Sequence, residues 1–201
     1  MNVALVLAAG VGSRVGGPKA LLLVEGLPLA ALHAQRRLSR EADRVVLVVR
    51  RDVAALLAPL LPDRVRVVVS EEDDALGPAG SLRAALRADA FGGDDHLLVT
   101  PVDVMPATAR VARTLLAGLE DHDAARPERG HPIALRGRVL DAGFLASPEP
   151  LRAVLARLGD RCATATGLVG ERDLDTVDDV VRLTGAPPTF FSPSPRSEGT
   201  A

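Results

Sequence analysis

Four Val- and Leu-rich runs, at positions 3–8, 44–49, 66–70 and 96–100, are apolar at nearly every residue instead of every second one. A strand apolar on both faces must be covered on both faces, and the arrangement that does this is a parallel sheet between two helical layers. Helix-length segments separate the runs: 29–38 behind Pro28, 53–61 closed by Pro62, then 81–88 and 107–119. The alternation predicts an α/β fold, three-layered and Rossmann-like, with a mostly parallel sheet. After residue 120 the rhythm loosens, with short strands expected at 133–135 and 138–140, a helix over 149–158 and a last helix over 176–183. Residues 1–185 therefore read as a single domain of ordinary size. The remainder, 186–201, is rich in Pro, Ser and Thr and is expected to be a disordered C-terminal tail that includes Phe190 and Phe191.

Composition narrows the partners. The formal net charge is −2, and the only aromatic residues are four Phe. Such a stock builds neither a basic face for nucleic acid nor a platform for stacked bases. The one cysteine, Cys162, excludes an internal disulfide and suits a reducing compartment. The first apolar run lacks a basic flank and is interrupted by the glycines from Gly10 to Gly17, so it reads as a core strand. A cytoplasmic protein with no membrane contact is expected.

That first strand runs directly into Gly10-Val11-Gly12-Ser13-Arg14-Val15-Gly16-Gly17-Pro18-Lys19. Of the chain's 24 Lys and Arg residues, Lys19 is the only lysine. An ammonium is a compact charge on a flexible stem, whereas a guanidinium is a planar fork, so a crowded anion site can accept the first and reject the second. Two common phosphate motifs fail here. The dinucleotide fingerprint G-x-G-x-x-G would need glycine where Val15 stands, and the P-loop would need lysine where Pro18 stands.

What remains, L-A-A-G-x-G-x-R-x-G-x-P-K, resembles the signature of nucleoside-triphosphate transferases with a GT-A-like (nucleotide-diphospho-sugar transferase) fold. Within them it is most similar to the molybdopterin cytidylyltransferases and their guanylyl relatives. The resemblance implies that Leu7, Ala8, Ala9, Gly10 and Gly12 wrap the base and phosphates, and that Arg14 and Lys19 hold the triphosphate as catalytic cations. The physics agrees: glycines let backbone N–H groups approach phosphate oxygens, and two cations offset charge growing on departing pyrophosphate. The turn and helix start around Gly80 and Ser81 resemble a further nucleotide contact.

Asp103 follows the fourth apolar run, at a strand's carboxyl end, where ligands bind in open α/β sheets. A carboxylate facing a triphosphate loop is placed to bind Mg²⁺. The family's Asp-x-Pro segment supplies this ligand, although here Asp103-Val-Met-Pro is one residue longer. Asp173-Leu-Asp175-Thr176 resembles the family's D-x-D-T element, which implies Asp175 as the second metal ligand; Thr176 and Asp179 also have capping-box spacing. Gly130-His131-Pro132 matches a G-H-P element on the acceptor side, so His131 and Asp173 are expected near the acceptor. His33, His96 and His122 carry no pattern.

The expected reaction is nucleotidyl transfer from an NTP, with Mg²⁺, to a small phosphorylated acceptor. The resemblance implies molybdopterin as that acceptor and a molybdoenzyme as protein partner. Ala9, where guanylyl members usually carry glycine, favours CTP over GTP. Two other readings stand beside it: a sugar-phosphate or isoprenoid-precursor nucleotidyltransferase, and a non-catalytic nucleotide-binding module. A nicotinamide dehydrogenase is disfavoured by Val15 and by Arg50 and Arg51, which stand where an acid is required.

Overall fold

A computed structural model describes residues 1–71, 76–170 and 173–193. The elements, in chain order, are β1 (Asn2–Ala8), the hairpin β2 (Leu23–Val24) and β3 (Leu27–Pro28), α1 (Leu29–Leu38), β4 (Arg44–Val49), α2 (Arg51–Leu57), β5 (Val65–Val69) and α3 (Gly77–Arg87). There follow β6 (His96–Pro101), α4 (Ala109–Ala117), β7 (Ala124–Arg129), β8 (Ile133–Arg136), α5 (Ala142–Ala146), α6 (Leu151–Leu158), β9 (Cys162–Val169) and α7 (Val177–Thr184).

The apolar runs become the centre of a seven-stranded sheet ordered β5-β4-β1-β6-β8-β7-β9. Strands β5, β4, β1 and β6 are mutually parallel, and β8 runs antiparallel to both its neighbours. Residues of opposite parity feed opposite cores. Val3, Leu5 and Leu7 of β1 pack with Leu82 and Ala85 of α3 and Leu155 of α6. Ala4, Val6 and Ala8 pack with Leu29 and Leu32 of α1 and Leu57 of α2. Continuous apolarity is thus explained by burial on both faces. Among the described residues no helix is long and apolar enough to cross a membrane.

Three sequence expectations differ from the structure. Strands β7 and β9 were not expected. In β7 Pro127 and the exposed Arg126, Glu128 and Arg129 break the apolar signal, and the pairing with β9 shifts register between Pro127 and Arg129. β9 is an edge strand of small residues, so it carries little hydrophobic pattern. The strand expected at 138–140 is instead a short 3-10 turn, Gly137–Val139. Its backbone is taken up by Gly137 N donating to Asp95 O (2.8 Å) and Arg138 N to Gly93 O (2.9 Å). Finally, residues 189–191 are tied to the domain where an unstructured tail was expected: Leu23 N donates to Thr189 O and Phe191 N to Leu21 O, both at 2.8 Å. Residues 194–201 lie outside the described residues.

Candidate active site

Strand order reverses between β1 and β6: from β1 the chain builds outward through β4 and β5, then crosses back to β6. Side chains leaving the carboxyl ends of these two strands diverge around a crevice, the usual ligand position of an open α/β sheet. A cavity of about 320 Å³ lies there. Leu7, Ala9, Gly10, Gly12, Arg14 and Lys19 line it from the glycine loop, Ser81 from α3 and Asp103 from the end of β6. Two of the expected nucleotide residues do not line it. The Ala8 side chain is packed in the core beside α1, and Gly80 is buried within α3. Ser70, Gly77 and Pro78 do line it.

The glycine loop doubles back on itself. Gly12 sits at φ +66°, and a Cβ there would collide with the Gly17 carbonyl, so only glycine fits. Gly17 N donates to Gly12 O (3.3 Å), and Lys19 then opens a 3-10 turn, Lys19–Leu21. This turn carries the ammonium inward, leaving Lys19 only 7% exposed.

Lys19 Nζ donates to Asp175 Oδ1 at 2.7 Å and to Asp103 Oδ2 at 3.4 Å, joining segments 156 and 84 residues away. Arg14 reaches the same Asp175 oxygen at 3.3 Å from the solvent side. The loop, the carboxylates of Asp103 and Asp175 and both cations therefore meet at one point.

The longer turn after Asp103 is held on both sides. Its extra residue, Val104, bridges Asp173, and Leu174 N donates to Asp103 O (2.6 Å). From below, the ring of His33 donates through Nε2 to the Val104 carbonyl (2.8 Å). His33 is fully buried, and loss of hydration, helped by Arg37, brings its pKa down to about 3. No local pattern marks this histidine, because its partner is 71 residues away. The Thr176–Asp179 capping box forms as its spacing predicted and fixes the chain just after Asp175.

Negative charge exceeds positive charge here. Asp173 is pushed above the ordinary carboxylate range, first by partial desolvation and then by repulsion from Asp103 and Asp175. His131 is pushed down by desolvation, against the opposing pull of Asp103 and Asp173. The carboxylates of Asp103 and Asp175 converge on one ammonium, and among the described residues no group of three or more His, Cys, Asp or Glu is placed to hold a metal ion by itself. A hard divalent cation held by two carboxylates would complete its shell with substrate phosphates and water.

His131 belongs to a second cavity of about 470 Å³, which shares Leu7, Pro78 and Pro101 with the first. Its apolar floor includes Leu82, Val99, Ile133 and Leu155, and its rim carries Arg126, Arg129 and Arg152. Among the described residues lining it, the one carboxylate is that of Glu128, which accepts from Gly167 N (3.2 Å). These arginines were not singled out from sequence, since two of them lie on the unrecognised strand β7.

Residues 4–174 match the family described as "MobA-like NTP transferase domain". Among curated proteins the chain is similar to a molybdenum cofactor guanylyltransferase of Burkholderia ambifaria, with 34% identity over 84% of this chain and 77% of that one. Among solved structures it resembles Rv0371c from Mycobacterium tuberculosis H37Rv, at 25% identity, TM-score 0.72, and coverage of 92% and 98% of the two chains. It also shares its fold with molybdopterin-guanine dinucleotide biosynthesis protein A from Archaeoglobus fulgidus, at 20% identity, TM-score 0.63, and coverage of 92% and 97%.

Proposed function

The chain belongs to the MobA-like NTP transferases, which are nucleotidyltransferases, and we propose that it transfers GMP from GTP to a phosphorylated pterin acceptor of the molybdopterin kind, releasing pyrophosphate. The observation that carries this reading is the convergence of Lys19, Asp103 and Asp175 at the mouth of the glycine-walled cavity. Curated relatives named as guanylyltransferases turn the base preference toward GTP, against the CTP expected from Ala9.

In this reading the nucleotide occupies the smaller cavity, with its phosphates along the Gly10–Gly12 backbone. Arg14 and Lys19 take up the charge that grows on the pyrophosphate as it leaves. Asp103 and Asp175 would hold Mg²⁺, which when bound neutralises and orients the triphosphate. The acceptor lies in the larger cavity, its apolar body on Leu82, Val99 and Ile133 and its phosphate toward the rim arginines and His131. A phosphate oxygen of the acceptor attacks the α-phosphorus, the bond to the β-phosphate oxygen breaks, and no covalent enzyme intermediate forms. The two cavities adjoin at Leu7, Pro78 and Pro101, which would let the two reactants face each other.

A thermal-shift panel of GTP, CTP, ATP and NAD with Mg²⁺, followed by pyrophosphate release with molybdopterin, tests the proposal. A nucleotide at a hundred times its Kd adds ~2.7 kcal/mol of stability, so GTP should give the largest rise in Tm. Stabilisation by NAD and by no nucleoside triphosphate would overturn the function. A larger shift with CTP would overturn the base alone.

A further inference from the structure

Beyond α7 the chain returns to the outer side of the glycine loop. Leu23 N donates to Thr189 O, Phe191 N donates to Leu21 O, and Leu22 and Phe190 form an antiparallel bridge between them. These bonds follow immediately on the turn that carries Lys19. Phe190 and Phe191 also pack against the core cluster that holds Val15, Ala20, Leu21 and Leu22.

The Phe190 ring lies over Gly17, where an added Cβ would stand 3.1 Å from two ring carbons. Gly12 and Gly16 adopt positive φ, and Gly17 does not. Backbone conformation therefore does not require glycine at 17; the ring occupies the room a side chain would need. Gly17 in turn bears on Gly12, whose carbonyl accepts its N–H. The contact thus passes from ring to loop crest to Lys19 within a few residues.

A loop so rich in glycine has the most conformational freedom to lose on binding and few side chains with which to order itself. We propose that residues 189–191 form a strap that holds the glycine loop in its phosphate-binding conformation, with Phe190 as a positioning residue for Lys19. The inference rests on the reading of the smaller cavity as a nucleoside-triphosphate site. The strap lies outside the 4–174 region shared with the family.

Calorimetric titration of the full chain with GTP and Mg²⁺, with CTP as a parallel arm, tests it. Removing the ring should make binding do the ordering, so Phe190→Ala should weaken Kd by about tenfold, and Phe190→Leu should recover most of the loss. Phe191→Pro, which deletes the N–H donated to Leu21 O and keeps the Phe190 ring, should weaken it in the same direction and serves if Phe190→Ala does not fold. The reference is Leu38→Ala, a trim of the same core cluster at the far end of α1. It should lower Tm while leaving Kd for the nucleotide unchanged. An unchanged Kd in Phe190→Ala and Phe191→Pro, or an equal loss in Leu38→Ala, overturns the strap alone. A wild-type chain that binds neither GTP nor CTP overturns the nucleotide reading and the strap with it.

Discussion

Replacing Lys19 with arginine keeps the charge and changes only the shape of its carrier, which makes it the sharpest test of the site. The ammonium is held at 2.7 Å from Asp175 and 3.4 Å from Asp103, with a side chain 9% exposed. Its backbone cannot easily give way: Leu21 N bonds Pro18 O (2.9 Å), Leu22 N bonds Lys19 O (3.1 Å), and Gly12 is pressed against the Gly17 carbonyl. A planar guanidinium on this fixed stem must push its charge off the ammonium's position. A misplacement of about 1 Å costs on the order of a hundredfold in rate, equivalent to roughly 2.7 kcal/mol of transition-state stabilisation. Lys19→Arg should therefore lower kcat/KM for pyrophosphate release by about tenfold to a hundredfold, and Lys19→Met by more. Folding should suffer little. Both partner carboxylates are more than a third exposed, where an ion pair is worth about 0–1 kcal/mol, so Tm should move by no more than about 2–4 °C. Full activity in the arginine variant would show that the chain's single lysine has no role in handling phosphate.

Asp103→Asn keeps the shape of the turn and removes a charge; turnover should be lost while Tm stays near the parent value, and near-parental turnover would place the metal elsewhere. The buried His33 makes stability pH-dependent in a defined sense. Its folded pKa lies at about 3, below the ordinary 6.5, so the unfolded chain binds a proton that the folded chain refuses. Stability due to this group is therefore complete above pH 6.5 and falls as pH drops from there toward 3, by up to about 1.4 kcal/mol per pH unit. Denaturant titrations at pH 7, 6 and 5 should show a shallower decline for His33→Gln than for the parent; parallel declines would refute the account.

The sequence alone determined the layers and one half of the site. Near-continuous apolarity in β1, β4 and β6 demands cover on both faces, and a glycine run directly after the first strand, ending in the one lysine, pointed to the loop that lines the smaller cavity. These are local signals, carried by residues adjacent in the chain. The tertiary structure decided what no local pattern records. It chose the carboxylates that reach Lys19 across 84 and 156 residues, set His33 beneath the Asp103 turn, and brought Phe190 over Gly17. It also made strands of β7 and β9, whose sequences carry charge, proline and small residues, because backbone pairing at the sheet's edge supplied the order their side chains do not. The physical reason is the same throughout. Periodicity and turn chemistry act over a few residues and are written where they act, whereas sheet order and register settle only when the whole core packs, and they alone bring distant residues together.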